Sequence, residues 1–212
     1  MIDAVAPEVS SWIDDWQPED EPLVAARARA AEVGVAAVDP ATGAALRLLA
    51  ALVGAKAAVE LGTGAGVSTL WLLQGMTPLG VLTTVDADGE HQRLAKASLS
   101  EAGVASGRVR LIQGRALEVL PRLSESAYDL VFCDAQRSEN ADYLTAALTL
   151  LRPGGIVVFA GALSGGRVAD PTARDSETVA MRELARLVRE EERLTAAMLP
   201  VGAGLLAATL RA

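Results

Sequence analysis

From Ala57 onward the chain repeats one pattern: a short, continuously apolar run, a break, then a stretch with apolar positions at helical spacing. The apolar runs 57–61, 81–85, 109–112, 128–133 and 156–159 predict five strands. Between them, 67–74, 89–102, 116–120 and 141–151 predict helices, and a charged amphipathic helix is expected over 176–189. Gly103 stops the second of these helices and Pro153-Gly154-Gly155 stops the fourth. Strands without polar alternation need cover on both faces, which crossover helices supply. Two further runs, 194–199 and 205–210, flank a turn holding Gly202 and Gly204 and predict an antiparallel closing pair. The expected fold is α/β: a single Rossmann-like, doubly wound domain with a seven-stranded, mostly parallel sheet and an antiparallel edge strand.

Ahead of this region the pattern is weaker. Pro22 opens a helix to about Glu32, with proline in the first turn, and Asp39-Pro40 caps a second running to about Val53. Residues 1–21 are acidic and are expected to form an irregular arm, separate from the domain over 22–212. Trp12, Ile13 and Trp16 give that arm a small apolar face, suited to packing on the domain or on a second subunit.

Composition narrows the function classes. The 212 residues suffice for one sizeable domain, and 51% hydrophobic content argues against disorder. A net charge of -8 disfavours both a nucleic-acid surface and docking on anionic membranes. The apolar stretch Ala44 to Ala55 is too short to span a bilayer and is interrupted by Arg47. The N-terminus lacks the basic start of a secretory signal, and the lone Cys133 cannot form an intrachain disulfide, so a cytoplasmic protein is expected. With His91 as the one histidine, a multi-histidine metal site is excluded.

The chemistry concentrates at Val59-Glu60-Leu61-Gly62-Thr63-Gly64-Ala65-Gly66. An apolar strand ends in an acid, a three-glycine turn follows, and a helix begins at Val67-Ser68. Such a turn lets backbone approach a ligand closely and presents free helix N–H donors. A second acid, Asp86, ends the next strand in Thr84-Val85-Asp86-Ala87, where a carboxylate can accept both hydroxyls of a ribose. The alternative for Asp86 is an N-cap for the helix from Gly89. Dinucleotide folds space their glycines differently and rest a pyrophosphate on the helix. Glu60 would repel a pyrophosphate but suits a ligand carrying an ammonium and a sulfonium, which points to S-adenosylmethionine (SAM) rather than NAD. Tyr128–Cys133 then delivers a third acid, Asp134, to the same sheet edge. His91 is read as a residue of a surface helix and Cys133 as a core side chain.

Those landmarks, with Leu150-Leu151-Arg152-Pro153-Gly154-Gly155, resemble the elements of class I SAM-dependent methyltransferases. Residues 60–73 (ELGTGAGVSTLWLL), Thr83-Thr84-Val85-Asp86, 161–171 (GALSGGRVADP) and Gly202-Ala203-Gly204-Leu205-Leu206 are similar to the bacterial branch of the catechol and caffeoyl-CoA O-methyltransferases. The resemblance covers roughly residues 35 to 212. It implies a cofactor site lined by Val38, Glu60, Gly62, Thr63, Gly64, Ser68, Asp86, Ala87, Ala116 and Asp134. Within it, Ser68 takes the methionine part, Asp86 the ribose and Ala116 the adenine. It also implies a homodimer, a small phenolic acceptor and a methyl group aimed toward Asp134.

The family pattern breaks at its metal. Family members carry Asp-X-X-Lys after the fourth strand and an Asp-Asn pair after the fifth, and these hold a divalent cation beside a lysine. Here the first element reads Asp134-Ala135-Gln136-Arg137 and the second Ala160-Gly161, so no metal site of the family type is expected. Asp134 and Arg137 remain as the catalytic candidates, the first to take a proton or orient a hydroxyl. Arginine cannot serve as a base, but it can stabilise a phenolate. Three readings stay open: a methyltransferase that needs no metal, a SAM-binding protein with little activity that acts as a sensor or partner, and a nucleotide-dependent oxidoreductase.

Overall fold

The computed structural model describes residues 7–211. Seven strands form one sheet in the order β3-β2-β1-β4-β5-β7-β6. They are β1 (Ala57–Leu61), β2 (Val81–Asp86), β3 (Val109–Gln113), β4 (Tyr128–Cys133), β5 (Leu151–Ala160), β6 (Leu194–Leu199) and β7 (Leu205–Leu210). β1 to β5 pair in parallel, and β7 is antiparallel to both its neighbours, β5 and β6. The antiparallel strand is thus one place in from the edge. The chain steps outward from β1 to β3, then returns to β4 on the other side of β1. Leu61 pairs with Val85 on one side and Cys133 on the other. Gly62, Asp86 and Asp134 therefore leave the sheet together, at the switch point where open α/β sheets hold ligands.

The helices are α1 (Pro7–Trp16), α2 (Glu21–Glu32), α3 (Pro40–Leu52), α4 (Val67–Gly75), α5 (Gly89–Glu101), α6 (Ala116–Val119), α7 (Asn140–Leu150) and α8 (Ser176–Glu190). Asp20 and Asp39 cap α2 and α3 by accepting from Leu23 N and Thr42 N. Strand side chains alternate between two cores. Val59, Leu61, Val131, Cys133, Val157 and Phe159 pack with α7 and α8 on one face. Ala58, Leu82, Leu130, Phe132 and Val158 pack with α3 and α4 on the other. Cys133 lies in the first core, as the alternation predicts.

Two expectations need correction. The arm is not irregular: Pro7–Trp16 is a helix, while residues 1–6 lie outside the described part. Val9, Trp12, Ile13 and Trp16 recur at helical spacing, and the surrounding acids masked that signal. The fifth strand is longer than 156–159. Tyr128 pairs with Leu151 and Leu130 with Ile156, so residues 152–155 bulge from a continuous strand rather than ending before it.

Candidate active site

The glycine turn is locked onto its neighbours by backbone bonds. Gly62 N donates to Val85 O at 2.9 Å, and Asp134 N donates to Leu61 O at 2.8 Å. Gly62 has φ +92°, and a Cβ there would fall onto the Asp134 carbonyl oxygen. No other residue fits both constraints. The turn thereby fixes the exits of β1 and β4 against each other.

Asp86 is held at the rim. Its Oδ2 accepts from Gly64 N at 2.9 Å and its Oδ1 from Asp88 N at 2.9 Å. The capping role belongs to Asp88, whose carboxylate accepts from Glu90 N at 2.8 Å. Asp86 is thus left to face the cleft. The imidazole of His91 also lies against Asp86, with Nδ1 at 3.2 and 3.1 Å from the two oxygens.

Glu60 stands one layer lower than its sequence position implies. Pleating turns it toward α4, where Ser68 Oγ donates to Oε1 and Thr69 Oγ1 to Oε2, both at 2.6 Å. The residue is 0% exposed. Burial pushes its carboxyl up to about 7, against the opposing pull of hydroxyls from Ser68, Thr69 and Thr84. It is the polar centre beneath the turn rather than part of the cleft wall. Beside it, Thr63 and Thr84 share a 2.7 Å hydrogen bond, and Gln92 Nε2 donates to Thr63 Oγ1.

The cleft has two joined parts, of about 110 and 660 Å³, that share Gly62, Asp86, His91 and Asp134. Val38, Thr63, Gly64 and Ser68 line the smaller part, and Ala87 and Ala116 the larger. Of the residues singled out in the sequence, Glu60 and Arg137 are absent from these walls.

Arg137 lies at the exit of β5. Its Nη1 donates to Glu177 Oε2 at 2.8 Å. The opposite edge of the guanidinium rests on Gly161, where a Cβ would sit 2.6 Å from Nη2 and 3.2 Å from Nε. Gly161 has φ +66°. Asp134 opens to solvent through the cleft, yet its carboxyl is pushed up by the protein walls around it, an effect opposed by Arg137. Ala160 and Gly161 supply no side-chain donor, and the guanidinium covers Gly161. Among the described residues, no group of three or more His, Cys, Asp or Glu side chains is arranged to hold a metal ion. The donor set does not fit a cation of the catechol type.

His91 is the residue that sequence reading undervalued. It belongs to the first turn of α5, where its ring meets Asp86 at the end of β2, and the residue lines both halves of the cleft. The available signal was its position five residues after Asp86 and three after the helix cap Asp88.

A family model described as O-methyltransferase matches residues 21–210. A protein of Mycolicibacterium vanbaalenii, named provisionally as an O-methyltransferase, is 57% identical over 190 residues, covering 90% of this chain and 84% of that one. The crystal structure of the O-methyltransferase TomG from Streptomyces achromogenes, involved in tomaymycin synthesis and in complex with SAM, is 31% identical. It superposes with a TM-score of 0.88 over 97% of this chain and 96% of that chain. An O-methyltransferase from Bacillus cereus in complex with S-adenosylhomocysteine (SAH) is 28% identical, with a TM-score of 0.87 over 96% and 97% of the two chains.

Proposed function

Because the chain belongs to the O-methyltransferase family, we propose that it methylates the hydroxyl of a small, phenolic acceptor lying between Asp134 and Arg137, without a divalent cation. Methyl transfer from SAM is the family's chemistry, and the sulfonium supplies an electrophilic methyl carbon on a good leaving group. The observation that carries the metal-free reading is the Arg137 guanidinium lying across Gly161, held from behind by Glu177.

In this reading the glycine turn, Val38, Thr63 and Ser68 hold the methionine part of the cofactor. Asp86 and Ala87 take the ribose, and Ala116 borders the adenine. Glu60 acts through the turn, because a cation bound above it favours its ionised form. Asp134 accepts the acceptor's proton as the oxygen–methyl bond forms and the carbon–sulfur bond breaks. Its raised pKa makes it a stronger base than an ordinary carboxylate.

Magnitudes support the assignment to Arg137. Ionising a phenol of pKa near ~10 at neutral pH costs roughly 4 kcal/mol. A hydrogen bond to a charged group contributes about 1.5–3 kcal/mol. With Nη1 taken by Glu177, one such bond from the remaining donors would offset part of that cost. The proposal includes a homodimer with α1 at its contact and a cytoplasmic location.

The test is SAH production from a panel of phenols by the wild type, Asp134→Asn and Arg137→Ala. Each variant is expected to lose about 10²-fold or more in kcat/KM, the scale of a lost acid–base or charge-stabilising group. An Arg137→Ala enzyme turning over at the wild-type rate overturns the assignment.

A further inference from the structure

The Arg137 guanidinium is held from two sides, and the two are built differently. Gly161, beneath it, follows directly on β5. The next two residues are pinned to the turn before β7, with Ala162 N donating to Gly204 O at 2.9 Å and Leu163 N to Ala203 O at 3.0 Å. Glu177, behind the guanidinium, is an exposed residue in the first turn of α8. The N–H groups of a first turn have no partners within the helix, so its placement depends on what caps and precedes it. Asp175 supplies the cap, accepting from Thr178 N at 3.0 Å, and the loop 164–173 leads into that cap.

The loop's own backbone bonds are tight turns: Gly166 N to Leu163 O, Asp170 N to Arg167 O and Ala173 N to Asp170 O. Ser164, Gly165 and Gly166 run left-handed in succession, at φ +48°, +64° and +83°. Ser164 Oγ is buried without a hydrogen-bond partner among the described residues. Arg182, in the second turn of α8, ties these turns to the helix. Its Nε donates to Val168 O at 3.1 Å, its Nη1 to Ala173 O at 2.8 Å, and its Nη2 to Arg167 O at 2.8 Å and to Asp170 O. A planar fork of five N–H donors can gather four carbonyls in this way, and an ammonium cannot. One turn earlier on the same helix, Thr178 Oγ1 accepts from Arg167 Nε at 3.2 Å. We propose that Arg182 is a positioning residue for the acceptor site: by fixing the loop that enters α8 it sets Glu177, and through Glu177 it sets Arg137.

The inference rests on the assignment of Arg137 to the acceptor, so the experiment is a double-mutant cycle that separates the two. The rate of SAH formation from SAM and an accepted phenol gives kcat/KM for wild type, Arg182→Gln, Arg137→Ala and the double variant. Arg182→Gln is expected to lose about tenfold, within the range seen when a reacting group is misplaced from a distance. In the Arg137→Ala background the same substitution is expected to cost less than about threefold, because the group it positions is gone. Arg182→Lys, which reaches fewer carbonyls, is expected to fall between wild type and Arg182→Gln, and the cycle is read from it if Arg182→Gln melts well below the wild type. SAH affinity by calorimetry is expected to stay at the wild-type value in both Arg182 variants, since neither Arg182 nor its loop lines the cofactor cleft. Equal losses in the two backgrounds, or SAH affinity falling with the rate, overturn the inference and leave Arg137 in its role. An Arg137→Ala enzyme at the wild-type rate overturns the acceptor assignment and the inference with it.

Discussion

Glu60 shows why single residues were the hardest part to read. Its place at the end of an apolar strand, two positions before the first glycine, was plain in the sequence. Its depth was not, because depth depends on which way the pleat turns and on Ser68 and Thr69 of α4 meeting it there. The consequence is a stability effect with a definite sign. The folded pKa of about 7 exceeds the ordinary value of 4.5, so the folded state holds this proton more tightly than the unfolded one. Stability is full below the lower value and declines as pH rises between the two, by up to roughly 3 kcal/mol. Without cofactor, Glu60→Gln is expected to melt above the wild type at pH 8, with the gap closing by pH 5. A variant melting at or below the wild type at pH 8 would contradict the buried-carboxyl account. Arg137 and Gly161 make the opposite case, since both substitutions were legible but their contact was not. Gly161→Ala forces a Cβ toward Nη2 at a positive φ. It is expected to lower kcat/KM about tenfold, with a backbone cost near 1 kcal/mol measurable by thermal melting.

At the level of elements, the strands were the easiest to find. Fully covered strands read as unbroken apolar runs, and β1 and β4 fall where those runs lie, as do β7 and the largely exposed edge strand β6. Two elements resisted for different reasons. α1 carries its apolar residues on one face of an acidic segment, so charge hides the helical spacing. The bulge at 152–155 looks like a stop, because proline and glycine usually end an element, whereas here the ladder resumes beyond them. The turn after β1 is the element on which the site depends most. Gly62→Ala combines a Cβ collision with the Asp134 carbonyl and a left-handed φ. It is expected to lose SAH binding by calorimetry and to melt well below the wild type, because the obstructing atom is backbone and cannot rotate away. Retention of wild-type affinity would show that β1 and β4 are not locked as described.

Across the whole molecule, topology and family were readable because pattern and motif converge on one sheet edge. Assembly was not, because one chain's periodicity says nothing about its partner. α1 leaves Trp12 at 65% and Trp16 at 69% exposure, a conspicuous outlay of apolar surface in a chain with only 3% aromatic residues. The Trp12→Ser, Trp16→Ser double variant is expected to sediment as a monomer while the wild type sediments as a dimer. A monomeric wild type would remove α1 from that role. The central claim concerns charge at the acceptor: in the proposed function, the Arg137 guanidinium over Gly161 takes the part that a divalent cation plays in the catechol-type pattern. The most direct measurement is the rate of SAH formation with SAM and a phenol that the enzyme accepts, in EDTA and in Mg²⁺. Equal rates are expected in both; activity abolished by EDTA and restored by Mg²⁺ would contradict it.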